Sequence, residues 1–326
     1  MAGDCSVRTL EVSSIEKAYE RIRPVVHQTP IITNHSLSQL TACDLLLKAE
    51  NLQLTGSFKI RGAFNKLALL QAQGGYGAVT GSSGNHGAAV AWASRHFGLT
   101  AHIVLPKAAS AAKVEAIRAY GAQVEFWGTT SQERLERAQD IAHEKGLAFV
   151  APFDDPDVMA GQGTIGLEIL RQVPDVEIVV VPIGGGGLIS GTATAIKAHR
   201  PHVLVIGVEP SGAPKAHHSR QQHRRIVLPS TYTIADGLKT IALGNLTYPI
   251  IEQRVDDIVL VDDDEIRQAM TLLLSRQKLM AEPSGAAPLA YALRKPDALR
   301  HHKTVVVISG GNIDPGTLCQ HVSPSS

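Results

Sequence analysis

The sequence predicts an α/β fold of two open, mostly parallel sheets flanked by helices, and three observations carry that reading. Short aliphatic runs alternate with stretches of helical period. The runs of the second half are apolar throughout, as strands covered on both faces are. Glycines collect just after predicted strands and just before predicted helices, where a parallel sheet opens its ligand crevice. The chain has 326 residues, enough for two domains or one domain with an insertion. Lys and Arg total 31 against 30 Asp and Glu, a formal charge of +1, so no global field attracts nucleic acid or an anionic membrane. With 44% hydrophobic and 19% charged residues the composition is globular rather than disordered. Aromatics are only 4%, so the core must be aliphatic.

In chain order, a helix is expected to open at Ser13 with a capping box to Glu16 and to close near Pro24. Strands are expected at 45–48, 78–80, 102–105, 124–127 and 148–150, with helices at 58–72, 88–97, 111–120 and 132–145. Gly121 and Gly146 stop the last two helices. Further strands fall at 178–181, 203–208, 258–261 and 304–308, and Asp262 or Asp263 caps a helix running on from Glu265. Residues 211–235 are polar and show neither period, which reads as a long surface excursion. Cys5, Cys43 and Cys319 are odd in number and in no ligand spacing, which speaks against a disulfide framework or a zinc site and for a reducing cytoplasm. No leader-like or membrane-length apolar stretch is seen, and the chain closes soon after its last strand, with no room for an appended regulatory domain.

Three glycine-bearing loops sit at predicted strand ends: Gly81-Ser82-Ser83-Gly84-Asn85-His86-Gly87, Gly184-Gly185-Gly186-Gly187 and Ser309-Gly310-Gly311-Asn312. The tetraglycine lies between a strand and a helix, where backbone N–H groups can cradle an anion. It is followed by Leu188-Ile189 instead of Lys-Ser/Thr, which argues against a triphosphate loop, and it lacks the third glycine of a dinucleotide fingerprint. A small phosphate monoester fits better. Glu209, at the end of the next strand, keeps a nicotinamide-dependent oxidoreductase as a runner-up. A further cluster, Ser57-Phe58-Lys59-Ile60-Arg61-Gly62-Ala63, opens a helix with a lysine placed against the helix dipole.

Taken in chain order from Ser57 to Asn312, these four segments resemble the serine/threonine dehydratase and serine racemase family of pyridoxal-phosphate enzymes, of fold type II. The likeness extends over nearly the whole chain, through Ala235-Asp236-Gly237 and Glu282-Pro283-Ser284. It implies a smaller, mobile domain (75–152) inserted in a larger cofactor-binding one (1–74 and 153–326), with the active site in the cleft between them. It implies that Lys59 forms the Schiff base with pyridoxal 5'-phosphate and acts as base at Cα. Phe58, Asn85, Gly184 to Gly187, Leu188, Glu282 and Ser309 would hold the cofactor. Ser82, Ser83, Gly84, Asn85, His86, Asp236 and Gly237 would hold the substrate. The implied activity is β-elimination of L-serine or L-threonine through an external aldimine to a 2-oxo acid and ammonia.

Ser83 leaves a second activity open, because a second acid/base opposite the lysine is what two-base racemization needs. Another β-hydroxy substrate such as 3-hydroxyaspartate stays open too, as does an amino-acid sensor without turnover. A racemase-type cation site is not expected: Glu209 and Ala213 match it, but Lys215 stands where its aspartate would be, and Glu209 is expected to pair with Lys215. His217, His218 and His223 match no ligand spacing and are read as solvated loop residues. The partners implied are a small amino acid and further copies of the chain, as a homodimer or homotetramer.

Overall fold

The computed structural model describes residues 10–82, 84–107, 109 and 111–322, and of Ala111–Lys113 the backbone only. Its strands are β1 (Ile31–Thr33), β2 (Asp44–Ala49), β3 (Gly77–Gly81), β4 (Thr100–Leu105), β5 (Gln123–Phe126), β6 (Ala148–Phe149), β7 (Ile178–Pro182), β8 (Leu204–Pro210), β9 (Asp257–Val261) and β10 (Lys303–Ile308). They form a six-stranded sheet in the order β1-β2-β10-β7-β8-β9 and a four-stranded sheet in the order β5-β4-β3-β6. Every pairing is parallel except β1 with β2. The aliphatic runs explain this arrangement. Val179, Val180, Val181, Val305, Val306 and Val307 are all inaccessible, so these central strands are covered by helices on both faces.

Two helices of small residues cross beside the larger sheet, Pro156–Gln172 and Gly187–His199. A Cβ on Gly191 would lie 2.4 Å from the Met159 carbonyl and 2.6 Å from Gly163 N, so only backbone meeting backbone fits there. That crossing sets where the second helix begins, at Gly187 of the tetraglycine loop.

Two expectations are corrected. The first helix spans Val12–Ile22 with Glu11 as N-cap and no side-chain cap, so the Ser13 capping box does not form. The buried stripe Ile15, Ala18, Ile22, together with buried Leu10, sets the N-cap two residues earlier than the polar signal did. The second is the polar stretch 211–235. It contains a helix, Lys215–Gln221, whose Lys215, Ala216 and Ser219 are buried, because the polar side chains find internal partners. His217 and His218, read as solvated loop residues, lie half-buried in that helix, and β1 and the helices His35–Thr41, Pro156–Gln172 and Thr247–Arg254 are not among the expected elements. Other expectations agree: Asp262 caps the Asp263–Leu272 helix in a capping box with Glu265, and Gly121 and Gly146 take the left-handed conformation that stops a helix.

Replacing Gly191 by Ala weighs a helix-propensity gain of about 1 kcal/mol against overpacking of about 1–3 kcal/mol. Because the obstructing atoms are backbone, Gly191→Ala should lower unfolding stability by about 1–2 kcal/mol in urea titration. An unchanged or raised midpoint would show that the helices can separate freely.

Candidate active site

In an open parallel sheet the crevice forms where the chain reverses its direction of winding. In the larger sheet that point lies between β7 and β10, and in the smaller sheet between β3 and β6. The segments leaving these four strands are 183–187, 309–312, 82–85 and 150–153. They include all three glycine loops, and the side chains between them connect the two sheets.

Lys59 is the first residue of the Lys59–Ala72 helix. Its position is set by the segment before it: Phe58 N donates to the Ser309 carbonyl (3.0 Å), and Gly311 N donates to the Gly56 carbonyl (2.9 Å). Gly56 holds φ +73°, and a Cβ there would fall 2.2 Å from Asn312 Oδ1, so this close approach requires glycine. On its other side the helix is fixed by Arg61, which is inaccessible. The guanidinium donates to Glu50 (2.8 Å from Nε and from Nη2) and to Glu168 (2.6 Å from Nη1 and 2.9 Å from Nη2). Lys48 Nζ adds a 2.6 Å bond to Glu168. Burial works against the charge on Arg61, but the pull of the two carboxylates outweighs it and raises its pKa.

Lys59 Nζ donates to the Pro152 carbonyl at 2.7 Å and lies 5.0 Å from the Phe58 ring centre. Burial pushes its amine down to about 8, with the Glu282 carboxylate pulling the other way. His86 is buried, and its Nε2 lies 3.0 Å from the Val150 carbonyl. Burial, then the charge of Lys59, push this imidazole down to about 3. The ring is therefore neutral at pH 7, and because a carbonyl only accepts, Nε2 carries the proton.

A polar chain closes the space. Asn85 Nδ2 donates to Glu282 Oε1 (2.7 Å), and Asn312 Nδ2 donates to Asn85 Oδ1 (2.7 Å) and to the Thr55 carbonyl (2.7 Å). One amide hydrogen of Asn85 remains for a ligand. Gly310 lies among them: a Cβ there would fall 2.5 Å from Glu282 Oε1, 3.1 Å from Ser57 Cβ and 3.2 Å from Asn85 Nδ2. Among the described residues, Ser57 Oγ, Thr55 Oγ1 and His86 Nδ1 are buried with no hydrogen-bond partner. Buried polar atoms of this kind mark a place where a ligand's polar groups belong.

The tetraglycine loop adjoins this space through Phe153, the neighbour of Pro152. A Cβ on Gly185 would strike the Phe153 ring at 2.3 Å, and one on Gly187 would lie 2.9 Å from the Phe153 carbonyl. Gly186 holds φ +98°. The Gly185 carbonyl is drawn away by Thr247 Oγ1 (2.7 Å) and Gly244 N (3.2 Å), and the Gly187–His199 helix starts directly after. Glycine amides at a helix N-terminus beside a buried, depressed amine suit a phosphorylated aldehyde in both charge and reactivity.

The structure thus brings together Phe58, Lys59, Asn85, His86, Glu282 and Gly184 to Gly187. Ser309 is buried beside them, its carbonyl accepting from Phe58 N, and Leu188 is buried in the helix behind the loop. Ser82 Oγ accepts from Gly84 N at 3.3 Å, at the cap of the Asn85–Phe97 helix. Ser83 lies outside the described residues. Asp236 stands apart: it is largely exposed and pairs with Lys239 (2.7 Å), while Gly237 N donates to Ser284 Oγ (2.8 Å). Glu209 cannot serve a ribose, since it is inaccessible and taken up by Lys215 (2.8 Å), which removes the basis for a nicotinamide enzyme. Sequence reasoning quoted Asn312 only as the end of a motif, without a role, and missed Pro152, Phe153 and Thr247. The first three lie just past strand ends at the two reversal points, a signal that a strand count could have supplied.

Residues 22–311 match the pyridoxal-phosphate dependent enzyme family. The chain is 44% identical over 310 residues to an L-threonine ammonia-lyase of Geobacter sulfurreducens, covering 95% of this chain and 77% of that protein. It is 42% identical to a serine racemase of Arabidopsis thaliana, covering 94% and 95% of the two chains. Among solved structures, maize serine racemase superposes with a TM-score of 0.91 at 41% identity, covering 96% of this chain and 97% of that one. The chain belongs to the pyridoxal-phosphate dependent enzyme family. It is a fold type II enzyme whose cofactor is pyridoxal 5'-phosphate.

Only an unprotonated amine attacks an aldehyde. The rate at which cofactor-free protein takes up pyridoxal 5'-phosphate should therefore rise with pH and level off past a midpoint of about 8. Stopped-flow absorbance checks this, and a midpoint near the ordinary lysine value of 10.5 would contradict it.

Proposed function

We propose that this chain is an ammonia-lyase that eliminates the β-hydroxyl of L-threonine and L-serine. The observation that carries the reading is the Lys59 amine, depressed to about 8 and held where the glycine loops of both sheets meet. The similar L-threonine ammonia-lyase supports the choice of substrate class.

When bound, the cofactor supplies an electron sink for the bond broken at the substrate's Cα. The residues of the chain do the rest. Gly184 to Gly187 and the helix start behind them bind the phosphate. Ser82, Gly84, Asn85 and the start of the Asn85–Phe97 helix take the substrate carboxylate, with His86 held neutral against Val150 and adding no second charge. Lys59 removes the Cα proton, and the β-hydroxyl departs with a proton as water. Ser309 would face the pyridine nitrogen with a neutral hydroxyl rather than a carboxylate and so would not hold that nitrogen protonated, which would make the bound cofactor a weaker electron sink. Water then displaces the nitrogen, and threonine yields 2-oxobutanoate and ammonia.

The two sheets support a division into a smaller unit at 75–152 and a larger one at 1–74 and 153–326, with the cleft between them. Cys43 is a buried free thiol, in keeping with a cytoplasmic enzyme, and no described helix is long and apolar enough to cross a membrane. We take its state as a homodimer or homotetramer, to be read by sedimentation. A second activity, racemization, is favoured by the Ser82-Ser83 pair and by the similar Arabidopsis serine racemase.

A panel of L- and D-β-hydroxy amino acids, scored for both oxo-acid release and residual chirality, tests both activities. L-threonine or L-serine should release oxo acid, and Lys59→Ala should lose at least about 1000-fold in kcat, given the loss of both nucleophile and base. Full activity in Lys59→Ala would remove the reading. D-serine accumulating from L-serine, and lost selectively in Ser83→Ala, would establish the second activity.

A further inference from the structure

A buried cation is built into the chain behind the tetraglycine loop. Lys215 and Glu209 are both inaccessible. Lys215 Nζ lies 2.8 Å from Glu209 Oε1, 3.0 Å from the Ile183 carbonyl, 3.2 Å from the Leu238 carbonyl and 3.3 Å from the Ala213 carbonyl. Glu209 is completed by two backbone donors, Ala216 N (3.0 Å) and His217 N (2.9 Å). One carboxylate and three carbonyls around one positive charge form the kind of oxygen set that hard cations take. Here an ammonium fills it, so Glu209 and Ala213 are already committed and these residues do not fit a resident divalent ion.

The place of this cage matters. Ile183 directly precedes Gly184, Leu238 directly follows Gly237, and a Cβ on Gly184 would fall 2.6 Å from the Gly237 carbonyl. The ammonium therefore fastens together the two segments that meet at the first glycine of the loop. In a trans peptide the carbonyl and the following N–H point in opposite directions. With the Ile183 carbonyl drawn onto Lys215, the Gly184 N–H is turned away from the cage.

We propose that Lys215 is a positioning residue that supplies, from within the chain, the charge a bound metal ion could otherwise provide, so that cofactor retention needs no divalent cation. It follows that removing the side chain converts the cage into a cation site. The proposal rests on Gly184 to Gly187 holding the cofactor phosphate.

The test uses wild-type holoprotein stripped with EDTA and then given Mg2+, Ca2+ or Mn2+, with thermal midpoint and cofactor dissociation as readouts. Neither should move in the wild type. In EDTA, Lys215→Ala leaves Glu209 buried without its counter-charge and should lose cofactor affinity roughly tenfold or more, with a lowered midpoint. Ca2+, or propylammonium as the missing side chain, should restore both. Lys215→Met, which fills the volume without charge, should show the same losses and no rescue. If Lys215→Ala does not fold in EDTA, it should fold when prepared in Ca2+, and failure with every cation and with propylammonium overturns the proposal. So does a wild-type midpoint or cofactor affinity raised by a divalent ion, or wild-type cofactor affinity in Lys215→Ala with EDTA present. If the cations restore the midpoint of Lys215→Ala while cofactor affinity never follows, the cage stands but its link to the phosphate loop fails.

Discussion

Arg61 stands two residues beyond Lys59 and binds two buried carboxylates, Glu50 beside the end of β2 and Glu168 on the Pro156–Gln172 helix. Lys48 of β2 joins Glu168, so two positive and two negative groups neutralise one another inside the protein. Such a cluster adds little net stability over apolar packing, yet removing one member strands a buried charge at a cost of about 3–5 kcal/mol. What it fixes is geometry. It ties the helix that begins at Lys59 to a strand of the larger sheet and to a neighbouring helix. One helical residue corresponds to about 100° of rotation, so a helix free to turn would carry the Lys59 amine away from the Pro152 carbonyl.

From that fixed start the site follows from topology and local chemistry. Both sheets reverse their winding, and the segments leaving the strands at those points converge on one space. Its polar atoms are arranged by type. Glycine amides and a helix start suit an anion, a depressed amine suits an aldehyde, and an Asn–Asn–Glu chain holds one loop of the smaller sheet against one of the larger. The low aromatic content shapes the site as well, since Phe58 and Phe153 support Lys59 and Gly185 without forming a stacking pair. The buried Lys215 cage extends the same logic to the rear of the phosphate loop, where a charge from the chain sets the backbone.

Much of this was legible in the sequence. The strand rhythm was clear because parallel strands covered on both faces are uniformly aliphatic, and the glycine loops stood out because close backbone approach admits no side chain. The Glu209–Lys215 pair was expected because the family resemblance placed both residues at one cation site and their charges are opposite. Other features carried no periodic signal. The Pro156–Gln172 helix is buried on nearly all sides and shows no polar stripe. Residues 211–235 read as surface because polar side chains predict exposure unless their partners are known, and Glu209, Ile183 and Leu238, which hold Lys215, lie outside the stretch. The cap at Ser13 failed because packing of Leu10 and Ile15 outweighed a local hydrogen bond. Arg61 was quoted only as part of a motif, since Glu50 and Glu168 are distant in sequence on one side or both.

The central claim is that one particular amine, Lys59, carries the cofactor. Reducing the holoprotein with borohydride locks the cofactor onto whichever amine holds it, and peptide mass spectrometry then locates the added mass. The account predicts the label on the peptide containing Lys59 and on no other. Label on Lys48, Lys215 or a surface lysine, with Lys59 unmodified, would contradict it.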